Sequence, residues 1–276
     1  MSYRSILLFL DPGSACARRT QAAIGLARRM DSHLVGLAPT GLLDLPGSVE
    51  GAAAFSDLAA LAWDELRDQA ERAADTFRGA CHQAGLRAIE PVVDEADQAI
   101  SLIEHAHCSD LAVLSQADPA APGHRAAQRL VEQVVLYSAR PTLLLPYAGV
   151  AEPPGKQVLV AWDDSREAAR ALSDALPLLQ LASSVQVVRW QAPGAQARRG
   201  LDALHQWLAW HGVTAEVRIE TTSIDVADAM LSHAADMGAD LIVMGAYGHS
   251  RWSERVLGGA TRGLLQSMTV PVLMSH

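Results

Sequence analysis

Four glycines punctuate the stretch GAYGHSRWSERVLGGAT, at Gly245, Gly248, Gly258 and Gly259, directly after the apolar run LIVM. Glycine loses more backbone freedom on folding than any other residue and packs no side chain, so clustered glycines mark backbone that bends tightly or is closely approached. Gly245 and Gly248 suit a loop that turns its amide hydrogens outward. Gly258 and Gly259 open a helix, whose first amides lack intrahelical partners and whose dipole favours negative charge. Arg251, Arg255 and Arg262 accompany them against the single acid Glu254, in a chain whose formal net charge is −9. Together these are the parts of a phosphate cradle. It is not a Walker loop, because no Gly-Lys-Ser/Thr follows. Asp163, closing the run VLVAWD, is suited to accept hydrogen bonds from a ribose or to help hold a magnesium ion. The bland alternative is that the glycines serve turns and caps, and that Asp163 starts a turn or caps the next helix through Ser165.

Other candidates carry less. His249, beside Gly248, touches a phosphate, acts as a base or, as for most lone loop histidines, is only exposed; Trp252 covers the site or packs under it. His105 and His107 stand two apart on an expected helix and share no face, so no metal site is expected. No Ser/His/Asp, Cys/His or paired-carboxylate set assembles, so no catalytic residue is assigned. Cys16, Cys81 and Cys108 have no ligand spacing and are expected to be reduced and mostly buried.

The elements that must position these residues come from an internal repeat. ILLFLD, ending at Asp11, matches VLVAWD, ending at Asp163, at an offset of 152; DLAVL from Asp110 matches DLIVM from Asp240, and RPTLLL from Arg140 matches VPVLMS from Val270, both at 130. The difference of 22 residues puts an insertion in the first copy, expected around GLLDLPGSVEGAAAF. The copies run over residues 1–148 and 155–276, with the proline-rich GVAEPPGK as linker. Each alternates short apolar runs with segments of helical period, the pattern of buried parallel strands crossed over by helices. The expected fold is α/β: two tandem open, twisted, five-stranded parallel sheets with helices on both faces. In the first copy Phe55 to Gly85 is expected as one long helix; in the second, Trp207 and Trp210 are expected to pack in the core or between the halves.

In such a sheet ligands settle beyond the carboxyl ends of the strands. There, Gly-x2-Gly-x9-Gly between DLIVMG and VPVLM resembles the nucleotide-binding signature of the universal stress protein family, and the chain resembles a tandem member of it. The resemblance is strong in the second half and rests on strand pattern in the first. It implies a flavodoxin- or Rossmann-like fold, an adenine nucleotide as ligand (ATP, ADP or AMP, with or without magnesium), and pairing through the last strands. Carried over by position, it implies that Gly245, Gly248 and Gly258 face phosphates and ribose, with His249, Gly259, Ala260 and Thr261 beside them. Met244 and Val188 would lie against adenine, and Ala161 and Trp162 would lead into Asp163, which takes the acid role. The family places Ser or Thr where this chain has Gly259, a lost hydrogen bond to a charged group worth roughly 1.5–3 kcal/mol. In the first copy the glycine positions fall on Ser115, Asp118, Gln128 and Arg129. That copy is therefore expected not to bind nucleotide in the family's manner and to serve as a structural partner across a pseudo-twofold axis.

Composition sets the rest. Half the residues are hydrophobic and 19% are charged, no apolar stretch is long enough to span a bilayer, and the start shows no signal-peptide pattern. The acidic net charge argues against nucleic acid and anionic membranes as partners. The expectation is a cytoplasmic regulatory protein of the stress-response type that binds an adenine nucleotide in its second half and is read by an unidentified protein partner. Slow ATP hydrolysis at the same site and a nucleotide-free scaffold are the alternatives, and pairing into a homodimer is open.

Overall fold

Residues alternating in side along each apolar run feed two separate cores, one on each face of a sheet. The computed structural model describes residues 2–41, 53–194, 201–248 and 259–276. In the first half it contains β1 (Ser5–Phe9), α1 (Cys16–Met30), β2 (His33–Pro39), α2 (Ala53–Gln83), β3 (Ile89–Asp94), α3 (Gln98–His107), β4 (Leu111–Ser115), α4 (His124–Tyr137) and β5 (Thr142–Leu145). The second half contains β6 (Gln157–Ala161), α5 (Arg166–Asp174), the short α6 (Leu176–Leu179), β7 (Ser184–Gln191), α7 (Leu201–Trp210), β8 (Glu216–Thr221), α8 (Val226–Met237), β9 (Leu241–Gly245), α9 (Gly259–Ser267) and β10 (Val272–Ser275).

The two halves order their five strands alike, and the two sheets join into one. The order is β3-β2-β1-β4-β5-β10-β9-β6-β7-β8, parallel within each half and antiparallel where β5 meets β10. At that seam Leu144, Leu143 and Thr142 pair with Val272, Leu273 and Met274. On one face Ile6, Leu8, Val158 and Val160 pack with α1, α2, α5 and α7; on the other Leu7, Phe9, Leu159 and Met244 pack with α3, α4, α8 and α9. Both cores run across the seam, so burial on each face continues from one half into the other.

Local signals set the helix ends. Asp97 caps α3 by accepting from the Ile100 amide, Ser165 caps α5 by accepting from the Ala168 amide, and Asp225 caps α8 by accepting from the Ala227 amide. Gly238 closes α8 in the left-handed conformation.

The structure revises several expectations. The long helix starts two residues earlier than expected, ends at Gln83 rather than Gly85, and spans 31 residues. Residues 42–52 of the expected insertion lie outside the described residues. Trp207 packs partly against the core, whereas Trp210 is 75% exposed and packs in neither place expected of it. Of the cysteines, Cys81 alone is fully buried; Cys16 is half-buried and Cys108 exposed. Burial pushes the Cys81 thiol up to about 11, which keeps it protonated and inert at neutral pH. Among the described residues no helix is long and apolar enough to cross a membrane.

Candidate functional site

β6 and β9 lie side by side with their carboxyl ends at the same edge of the sheet, and the connections leaving them diverge to opposite faces. A parallel sheet opens a crevice at such a point. A cavity of about 200 Å³ lies there, lined by Ala161, Trp162, Asp163, Ser165, Trp190, Val226, Met230, Met244, Gly245, Gly248 and Thr261. Ala161, Trp162, Asp163, Met244, Gly245, Gly248 and Thr261 were expected from sequence, and the fold brings them to one place. Val188 is not in the wall: it is fully buried. Trp190, two residues on and therefore on the same face of β7, lines the cavity instead. Met230 and Val226, from α8, were not anticipated; their helix was legible, but nothing local shows which face meets the crevice. His249, Arg251, Trp252, Arg255 and Gly258 lie outside the described residues, and Gly259 and Ala260 form the first turn of α9.

The two described glycines are dictated by packing against α5. A Cβ on Gly245 would lie 2.5 Å from the Ala168 amide nitrogen and 2.6 Å from the Glu167 carbonyl carbon. Those are backbone atoms of a capped helix and have nowhere to go. A Cβ on Gly248 would meet the Glu167 carboxylate at 2.7 Å and the Ser165 hydroxyl at 3.3 Å. The loop after β9 is thus pressed onto the start of α5, with the Glu167 side chain passing beneath it, only 4% exposed. Arg166 Nε donates to Glu167 Oε1 from the solvent side. Between the two glycines, Tyr247 takes a left-handed conformation with φ 55°, and its amide donates to Thr261 Oγ1 at 3.3 Å, tying the loop to the first turns of α9.

The strand-one acid serves the helix start. Asp163 Oδ1 accepts from the Ser165 amide at 3.0 Å, and Ser165 Oγ accepts in turn from Ala168. The neighbouring Asp164, at φ 64°, accepts from Trp162 Nε1 at 2.7 Å and pairs with the buried Arg189 at 2.7 Å. This locks the Trp162 indole at the cavity mouth. Trp190 is held edge-on against His233, with ring centroids 5.9 Å apart. The cavity therefore offers two fixed aromatic rings and two methionines as an apolar wall, with Asp163, Ser165 and Thr261 as polar groups. Such a mixture holds a flat, partly polar ring system.

The equivalent crevice of the first half is built differently. Arg19 of α1, buried to 2% exposure, crosses the ends of β1 and β4; it donates to Phe9 O at 2.9 Å, Ser115 Oγ at 2.8 Å and Asp11 Oδ2 at 2.8 Å. Asp11, the counterpart of Asp163, is thereby neutralised, and Ser115 stands where the second half has Gly245. The space in front is larger, about 690 Å³, and its wall includes Asp97, Asp118 and Arg129. Buried Gln116, next to Ser115, donates to Leu265 O at 2.9 Å and Gln266 O at 3.2 Å, capping the last turn of α9 from the other half.

The family model described as the universal stress protein family matches residues 155–276. Among solved structures, a universal stress protein from Archaeoglobus fulgidus is similar over 98% of this chain and 95% of its own, with a TM-score of 0.75 at 18% identity. A putative universal stress protein from Pseudomonas aeruginosa covers 99% of this chain and 93% of its own at TM-score 0.59 and 17% identity. A functionally unknown protein from the same organism covers 99% and 92% at TM-score 0.60 and 17% identity. At these identities the likeness concerns the fold. No curated protein sequence gives a significant match.

Proposed function

We propose that the chain is a tandem protein of the universal stress protein family, residues 1–148 and 155–276, whose second half, the part that the family model matches, binds an adenine nucleotide at the end of β6 and β9. The observation that carries this reading is the convergence, in one cavity, of Asp163, Met244, Gly245, Gly248 and Thr261, the described positions that the family signature points to. Trp162 and Trp190 supply stacking surface for a purine, and the amides at the start of α9 supply donors for phosphate. Asp163 is the one carboxylate among the described residues lining the cavity, and one carboxylate together with substrate phosphates is a usual magnesium environment. A magnesium ion held there would neutralise phosphate charge.

The larger cavity of the first half does not compete in this reading. Its acid is committed to Arg19, its glycines are replaced, and Asp118 brings negative charge to the loop position where the second half has Gly248. The first half is then a structural partner: its last strand lies antiparallel to the last strand of the second half, as across a pseudo-twofold axis. The role is that of a cytoplasmic stress-response regulator whose ligand-bound state is read by a protein partner. The glycines alone do not argue for a ligand, because packing against α5 already requires them; the support lies in the cavity they border.

Heat denaturation of the purified protein followed by mass spectrometry of the supernatant tests the reading. Recovery of an adenine compound supports it, as does a rise in thermal stability with millimolar adenosine, AMP or ATP that Val226→Trp abolishes. Val226 is 39% exposed at the cavity wall, so the indole fills the space without entering the core. No adenine compound and no thermal response to any of the three would end it.

A further inference from the structure

Among the described residues the wall of the cavity is acidic, where a phosphate cradle needs to be neutral or basic. No basic residue lines it among the described residues, and Asp163 does. Immediately behind the loop, the Glu167 carboxylate lies beneath Gly248, with Oε2 2.7 Å from the point that a Cβ there would occupy. Its side chain is 5% exposed and paired on one oxygen with Arg166, whose own side chain is 83% exposed. Arg189, the buried cation nearest in sequence to the cavity wall, is already paired with Asp164. A carboxylate in the first turn of α5 satisfies that helix's dipole, so the favourable interaction an incoming phosphate would find at this end is already occupied by an anion of the chain itself.

We infer that Glu167 is a specificity-determining residue that selects an adenine ligand of low charge, a nucleoside or nucleoside monophosphate, against the triphosphate. The inference rests on the adenine reading of the cavity. The physical basis is the repulsion between fixed like charges in a partly buried site, where solvent screens them weakly. Each added phosphate brings charge toward a carboxylate whose side chain is packed beneath Gly248 and against the start of α5. Glu167→Gln removes that charge and keeps the shape that fills the space under the loop.

Calorimetric titration of adenosine, AMP and ATP into the full chain and into Glu167→Gln tests this. In the wild type, adenosine or AMP binds at least as tightly as ATP. In the variant, ATP tightens by roughly tenfold or more while adenosine changes little. If the wild type binds ATP tenfold more tightly than adenosine, or if the variant leaves the ATP-to-adenosine ratio unchanged, Glu167 sets no charge preference and the inference falls while the adenine reading stands. If adenosine, AMP and ATP all fail to bind, both fall together. Should Glu167→Gln fail to fold, the wild-type order decides alone, with Glu167→Ala as a second variant lacking the charge.

Discussion

Substituting alanine at Gly245 and at Gly248 separates a glycine demanded by backbone packing from one demanded only by a side chain. At Gly245 the new methyl would sit 2.5 Å from Ala168 N and 2.6 Å from Glu167 C, roughly 1 Å inside ordinary van der Waals contact. Both atoms belong to the first turn of a helix capped by Ser165, so either the loop or α5 must move. Overpacking of this kind costs about 1–3 kcal/mol, and the immobile partner puts Gly245→Ala at the top of that range. At Gly248 the clash is with a carboxylate oxygen at the end of a rotatable side chain. A small rotation relieves it, so Gly248→Ala costs about 1 kcal/mol or less. Neither glycine has positive φ, so conformational strain adds nothing to the comparison. Urea denaturation followed by circular dichroism measures both, and for a chain of this size about 3 kcal/mol corresponds to a Tm fall of roughly 6–12 °C. Equal losses in the two variants, or a loss below 1 kcal/mol at Gly245, would refute the view that the loop is pressed against the α5 backbone.

Other outcomes follow from the same geometry. Arg19→Met is expected to cost about 3 kcal/mol in urea unfolding, since it strands Asp11 and the Phe9 carbonyl at the strand ends. Ser165→Ala removes the α5 cap and should cost about 1 kcal/mol by the same measurement. Gln116→Leu leaves the Leu265 and Gln266 carbonyls uncapped and should lower stability by about 1–2 kcal/mol, loosening α9 in hydrogen exchange. The Tyr247 hydroxyl is buried without a partner among the described residues, and burial, aided by Glu132, pushes its pKa from 10 to about 12. Its neutral form is the one the fold favours, so its contribution is fully present below pH 10 and fades as pH rises towards about 12. Tyr247→Phe should flatten the alkaline limb of the stability profile and leave neutral-pH stability unchanged or higher.

What sequence reasoning reached, and where it stopped, has a physical pattern. Strands buried on both faces read as continuous apolar runs, so VLVAW and LIVM announced β6 and β9, and their ends placed Asp163 and Gly245. The repeat then supplied five strands for each half. Misses came from contacts made across elements. Arg19 sits in ARRT, which has the look of an exposed helical segment; only the fold shows its guanidinium capping two strand ends. Glu167 reads as an ordinary acid in the first turn of a helix, and its place under Gly248 depends on how closely the loop approaches. Trp190 was within reach, since alternation along β7 puts it on the same face as Val188, one step nearer the open end. Trp210 sat at helical spacing from Trp207, but the packed stripe of α7 is carried by Leu204 and Leu208, which leaves its indole in solvent.

The join between β5 and β10 also changes what this molecule can do with other molecules. Joining these strands within one chain makes the seam independent of protein concentration, so dilution cannot separate its two sides. It also withdraws both strands from self-assembly and leaves β3 and β8 as the only free margins of the described sheet, at its opposite ends. Neither invites a neighbour. β3 carries Pro91, which has no amide hydrogen to offer, between Glu90 and Asp94, and β8 sets Glu216, Arg218 and Glu220 at alternate positions. Growth by strand addition is therefore disfavoured at both ends of the described sheet.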